Sequence, residues 1–136
     1  MTYDWQLSLL VDYWPAFLNG LIVTMKLTVV TILAGTLIGY VLGVLLAMKA
    51  RYLWPIKLLI NVYIALLGWL PLLVLMVWMY YFLPVFFHIT FDGLTVAYIA
   101  LSLNLSAFIA DVVRGAIEEI PRAYIDAGRA IGMPFL

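Results

Sequence analysis

Cysteine is absent from the 136 residues, so the chain builds neither a disulfide framework nor a thiolate metal site, and its redox compartment is left open. Histidine occurs once, at His88, and one imidazole does not make a metal centre. Charge is scarce: Asp, Glu, Lys and Arg together make up 10% of the residues, and the seven bases cancel the seven acids. That balance leaves no basic field for nucleic acid or for a polybasic surface peptide. There is no Gly-x-x-x-x-Gly-Lys-Ser/Thr run to cradle phosphates, and no apolar stretch pairs acids or histidines in a catalytic arrangement. Residues 1–16 hold Asp4 and Asp12 but no Lys or Arg, whereas a cleavable signal peptide begins with a basic region, so none is assigned.

What remains is apolar. Hydrophobic residues reach 68% and the mean hydropathy is +1.16, too little polar surface to cover a soluble globule of this size. Three stretches lack Asp, Glu, Lys and Arg altogether: 27–48, 58–91 and 93–110. A helix needs about 20 apolar residues to cross about 30 Å of hydrocarbon, so each stretch can cross once. The far end of the middle stretch, from Leu83-Pro84 through His88 to Asp92-Gly93, reads as an interfacial turn. The expectation is an all-α integral membrane protein with three spans at about 17–48, 56–83 and 94–115. Trp5, Tyr13 and Trp14 beside Pro15 read as an aromatic anchor before the first span.

Basic residues sort by connection. Lys49, Arg51 and Lys57 separate the first two spans, and Arg114, Arg122 and Arg129 follow the third, while residues 84–93 have none. The positive-inside rule then sets the N-terminus outside and the C-terminus inside. Lys26 lies within the first helix near its outer end, where its stem can carry the ammonium to the interface; this reading outweighs an ion-pathway role.

Within the spans, Thr31, Gly35, Gly39, Gly43 and Ala47 recur every fourth residue and share one helix face. Helices in lipid associate by close backbone approach, so this flat stripe marks helix packing, within the chain or across a dimer. Gly68-Trp69-Leu70-Pro71 predicts a kink or opened turn in the middle of the second span, serving either packing or a pathway. In the third span Asn104, Phe108, Asp111 and Gly115 share one face, with Ser102 and Ser106 opposite. A carboxylate at bilayer depth costs about 2.5–3.5 kcal/mol, so that face looks at protein or water. Asn104, Ser106, Asp111 and Pro71 are the translocation-path candidates, although Asp111 is placed first as a structural partner of Arg114, three residues on.

Beyond Glu118-Glu119, Pro121 at a first helical position and Gly132 followed by Pro134 bracket a short helix at about 121–132. It carries the small residues Ala123, Ala127, Gly128 and Ala130 and the charges Arg122, Asp126 and Arg129, without a full apolar stripe. Small residues let such a helix enter a groove while charges set its register; docking is favoured over lying on lipid headgroups.

Arg114-Gly115-Ala116-Ile117-x-x-Ile-Pro followed by Asp126-Ala127-Gly128-x-x-x-Gly132 resembles the EAA coupling loop of permease subunits in bacterial ATP-binding-cassette importers. The run 101–115 is similar to the preceding span of the polar amino acid branch, 20–28 to its first span, and Pro71-Leu72-Leu73-Val74 to its second. Asp126-Ala127-Gly128 stands where the family has Glu-Ala-Ala, Gly68-Trp69-Leu70 where the branch has Arg-Gly-Thr, and Leu75 where it has glutamine. The resemblance implies a multi-pass permease subunit of the bacterial inner membrane, working by alternating access. It implies pairing with itself or a homologous permease, coupling to cytoplasmic ATPases that hold the ATP and magnesium, and delivery of substrate by an extracytoplasmic binding protein. Arg114, Gly115, Pro121, Arg122, Asp126, Ala127, Gly128 and Gly132 are the coupling residues it implies. The family continues past this loop into further spans, so the resemblance makes these residues the N-terminal portion of a permease. A three-span scaffold or assembly protein that keeps the docking helix without transporting is the rival expectation.

Overall fold

The structure is a computed structural model that describes residues 13–133. Trp5 of the expected anchor and Pro134 of the expected helix stop lie outside them. The described residues fold as α1 (Trp14–Ala47), a 3-10 turn (Arg51–Leu53), α2 (Trp54–Trp69), α3 (Leu72–Phe87), α4 (Gly93–Glu118) and α5 (Arg122–Ala130). Among them α1 and α4 are long and apolar enough to cross a membrane by themselves. Pro15 opens α1 and Pro55 opens α2, each in the first turn, where a missing N–H removes no helical bond.

Where the sequence suggests a kink or an opened turn, the helix opens completely. α2 and α3 have 16 residues each, roughly 24 Å at the helical rise, and neither reaches across about 30 Å of hydrocarbon. They meet at a bend of 107°, so the pair forms a third span only as a broken one. Leu70 and Pro71 are both extended, with ψ of 127° and 133°, and the helix is interrupted rather than bent. The turn between α3 and α4 also starts later than the sequence suggests. α3 runs through Pro84 to Phe87 and is capped by His88 in the left-handed region at φ 55°, its N–H donating to the Pro84 carbonyl at 3.2 Å. Trp78, Phe82 and Phe86, one turn apart, stack at centroid distances of 4.4 and 4.0 Å and hold the last turns together across the proline. Asp92 precedes α4 and accepts a hydrogen bond from the Thr95 hydroxyl, which holds its carboxyl below the usual carboxylate range.

The fold centres on α1 against α4. A Cβ built on Gly35 would lie 2.9 Å from the Leu105 side chain, on Gly39 2.6 Å from both the Ser106 carbonyl oxygen and Ile109 Cβ, and on Gly43 2.7 Å from the Ala110 carbonyl oxygen and Val113 Cβ. Contacts advance in the same direction along both helices, so α1 and α4 run parallel. Along its length α4 buries Val96, Ala100, Ser102, Ser106, Ala107 and Ala110, and of these Ser106 and Ala110 meet the stripe. Hydrophobic transfer gives helices in lipid little reason to associate, so this proximity of backbones is the source of cohesion. α2 runs antiparallel to α4 on its other side, as shown by Asn61 beside Arg114, Tyr63 beside Ser106 and Leu67 beside Asn104. α3 packs on α4 near its start, and α5 has no extensive contact with any other helix.

Gly39→Ala forces two backbones apart, because the nearest obstacle is a carbonyl oxygen and not the tip of a flexible side chain. It should destabilise the α1–α4 pair by about 1–3 kcal/mol, whereas Gly20→Ala, with open space around its Cβ, should be neutral or slightly stabilising. Thermal unfolding in mild detergent compares the two variants, and equal midpoints would contradict this packing.

Candidate functional site

The break between α2 and α3 creates a chemical problem that α4 solves. Proline has no N–H, so Pro71 leaves the carbonyl four residues earlier, that of Leu67, without its helical partner. The Asn104 side-chain amide on α4 donates to that oxygen at 2.8 Å. In hydrocarbon an unpaired carbonyl costs several kcal/mol, which makes this bond a condition for having the break at all. The next carbonyl back, Leu66, accepts from the Leu70 N–H at 3.3 Å. Asn104 is half-buried and its amide group is committed to the opened turn.

About half a turn further along α4, Ser106 is fully buried against α1 and α2. Its hydroxyl lies 2.6 Å from the Tyr63 hydroxyl and donates to the Leu103 carbonyl at 2.8 Å, and Tyr63 reaches the same carbonyl at 3.1 Å. With one proton each, the two hydroxyls satisfy two of these three contacts at a time. Of the path candidates, Ser106 is therefore enclosed within the bundle, while Asp111 and Pro71 are exposed and Asn104 lies between. Tyr63 is a contributor that the sequence reading missed. The available signal was a tyrosine inside an uncharged span, whose hydroxyl needs a partner when buried.

Arg114 closes the seam near the C-terminal end of α4. Its guanidinium pairs with Asp111 at 2.7 Å and donates to the Asn61 side-chain oxygen on α2 at 3.3 Å. Asp111 also lines a small open cleft of about 140 Å³ with Ile64, Gly68, Trp69, Ala107 and Phe108. The cleft lies on the α2–α4 face next to the break, so a carboxylate balanced by one arginine looks onto the residues that precede it. Asn61, like Tyr63, escaped the sequence reading, since nothing in the pattern of α2 tells which turn of α4 it meets.

The other implied coupling residues gather elsewhere. Gly115 sits in the last turns of α4 with nothing near its Cβ position, and Pro121, extended at ψ 136°, precedes α5 instead of opening it as a first helical residue. Arg122 begins the helix, and Asp126 pairs with Arg129 at 3.6 Å on its polar side. Tyr124, Ala127, Gly128 and Ile131 follow at helical spacing on the opposite side, so α5 does carry an apolar face, contrary to the expectation that it lacks a stripe. Tyr124 and Ile131 are 73% and 74% exposed, and that face has no cover within the described residues. The helix ends in a Schellman arrangement: the Gly132 N–H donates to Arg129 at 3.0 Å and the Met133 N–H to Gly128 at 3.1 Å, with Gly132 at φ 78°. Gly132 is thus required by the backbone. Gly128 is not, since a Cβ there would meet only the Met133 sulfur at 3.7 Å.

Asn104→Leu leaves the Leu67 carbonyl unpaired and should cost about 1–3 kcal/mol of stability. Pro71→Ala restores an amide donor to that carbonyl, so in its presence the cost should fall. Unfolding of the two single variants and the double variant measures the coupling, expected at about 0.5–3 kcal/mol. Strict additivity would show that Asn104 does not serve the break.

Comparison with known proteins agrees with this architecture. The family described as binding-protein-dependent transport system inner membrane component matches residues 39–136. The chain is 30% identical over 122 residues to the L-cystine transport system permease protein TcyB of Bacillus subtilis, an alignment covering 90% of this chain and 50% of that protein. It is 30% identical over 139 residues to the glutamate/aspartate import permease protein GltK of Escherichia coli, covering 96% of this chain and 59% of that one. A crystal structure of an amino acid ABC transporter with histidines superposes with a TM-score of 0.81 at 32% identity, over 98% of this chain and 60% of that chain. The chain thus spans half to three-fifths of the length of these relatives. The match over residues 39–136, which includes the broken α2–α3 pair, α4 and the exposed α5, shows that this chain belongs to the family of binding-protein-dependent transport system inner membrane components.

Proposed function

We propose that the chain forms part of the membrane-embedded permease subunit of an ATP-driven importer of amino acids in a bacterial inner membrane. The observation that carries this reading is α5: a capped, amphipathic helix with an uncovered apolar face and a glycine, Gly128, whose smallness nothing else in the described residues uses. Such a surface suits a groove on another protein, with Gly128 admitting close approach and the Asp126–Arg129 pair setting register. The partner is a cytoplasmic ATPase that holds the ATP and magnesium, so hydrolysis belongs to that subunit and not to this one. A second permease, the same or homologous, completes the pathway, and an extracytoplasmic binding protein supplies the substrate. The substrate class rests on the cystine and glutamate/aspartate relatives and the histidine-bearing transporter.

The orientation supports this arrangement. α1 ends, α2 begins and α4 ends on one side of the bundle, and Lys49, Arg51, Lys57, Arg114, Arg122 and Arg129 belong to those segments. The opposite side has Tyr13, His88 and Asp92. By the positive-inside rule the basic side is cytoplasmic, with the N-terminus outside. In alternating access, closure of the ATPases displaces α5, and α4, unbroken over 26 residues, carries that displacement to its seam with α2. The interruption at Leu70-Pro71 is the point where the middle span yields. The exposed members of that seam, Asp111 and Pro71, together with Asn104, are the residues that face the path.

Gly128→Trp tests the reading in the assembled importer. Membrane insertion and the amount of permease should be unchanged, while copurification with the ATPase and substrate-stimulated hydrolysis fall at least tenfold, equivalent to about 1.4 kcal/mol or more of docking energy. Normal uptake and normal stimulated hydrolysis in this variant would reject the docking role of α5.

A further inference from the structure

We infer that the connection between α1 and α2 forms a binding site for the phosphate of an anionic phospholipid headgroup. The inference stands apart from the transport reading, because only the depth of this connection in the membrane enters it. An open cleft of about 670 Å³ lies there, lined by Lys49, Ala50, Trp54 and Lys57. Two of its four lining side chains are ammonium groups and none is an acid.

The two lysines play different parts. Lys57 is half-buried and its ammonium donates to the Leu46 carbonyl at 2.9 Å and to the Met48 carbonyl. Those oxygens lie at the C-terminal end of α1, where helical carbonyls lack partners and the helix dipole is negative. The contact holds the ammonium in place, and with three donors one proton is left for the cleft. Lys49 is exposed and makes no hydrogen bond or ion pair among the described residues, so it supplies the second charge without a structural duty of its own. A held cation beside an exposed one, with no carboxylate lining the cleft, suits a compact anion such as a phosphate.

Trp54 argues for a lipid as the source of that phosphate. It is 68% exposed and stands at the first residue of α2, just after the connection from α1. Indole rings favour this interfacial layer, their apolar face toward acyl chains and their N–H toward headgroups. Basic pockets between membrane helices bind anionic headgroups by the same combination, at about 1 kcal/mol per Lys or Arg. Soluble phosphate would use the charges but gain nothing from the indole.

Native mass spectrometry of the full chain in mild detergent, titrated with phosphatidylglycerol or phosphatidylcholine, tests the site. Phosphatidylglycerol should be retained in preference, and Lys49→Gln should weaken its binding about fivefold, the equivalent of about 1 kcal/mol, without lowering the unfolding temperature. Lys57→Gln should weaken binding and also lower that temperature, because it uncaps α1. Equal retention of the two lipids, or undiminished phosphatidylglycerol binding in Lys49→Gln, would overturn the inference. Inorganic phosphate at the same concentration should leave the lipid bound; if it displaces the lipid, the site belongs to a soluble anion and the lipid assignment fails.

Discussion

Everything else in this bundle depends on how closely α1 can approach α4. Three glycines one turn apart bring the α1 backbone against Ser106, Ile109, Ala110 and Val113, at separations a methyl group would not fit. That contact determines the rotation of α4 about its axis. Once Ser102, Ser106, Ala107 and Ala110 are turned inward, Asn104, Phe108 and Asp111 are carried toward α2 and the cleft beside it. Small residues on one helix thus decide where the polar residues of another are presented. In a membrane this carries particular weight, since burial of apolar side chains favours no one rotation over another.

The second constraint is that backbone groups find partners at depth. A proline in a membrane helix is tolerable only when something else takes up the carbonyl it orphans. Here the donor comes from Asn104 at 2.8 Å, on a different helix. The polar residue and the helix break are therefore one feature and not two. A neighbouring turn shows the same economy: Tyr63, Ser106 and the Leu103 carbonyl satisfy one another inside the bundle. Asp111 and Arg114, costly as separate charges, form a pair anchored to Asn61.

The terminal helix obeys the opposite logic. Its backbone is finished by local means, with a left-handed glycine and the two bonds of a Schellman cap. Its apolar face is not finished at all. Tyr124 and Ile131 stand exposed, and Gly128 between them has only the Met133 sulfur beside its Cβ position. A nine-residue helix in water is marginal by itself, and its uncovered face is the surface that the proposed docking would use.

Several features were legible in the sequence because they are local or compositional. Absence of charge over three long stretches marks membrane helices, period-four glycines mark a packing face, and Pro121 and Gly132 bracket a short helix. Asp111 and Arg114 are three residues apart, and helical geometry alone lets them meet. Pro71 told of a disturbed helix but not its size, since a kink and a 107° break start from the same missing N–H. Pro84 suggested an end that the helix does not take, because an aromatic stack spanning it keeps the last turn in place. The apolar face of α5 was obscured by its small residues, which read as neutral until Tyr124 and Ile131 are placed on one side. Residues that answer to another helix were out of reach: Asn61, Tyr63 and the Leu67 carbonyl acquire their roles from the register between α2 and α4. By itself the sequence determined that the chain is helical, membrane-embedded and glycine-faced, because those properties follow from side-chain volume, charge and period along one helix. Only the tertiary structure decided which polar groups meet, because a hydrogen bond between helices depends on rotation and register that no single helix encodes.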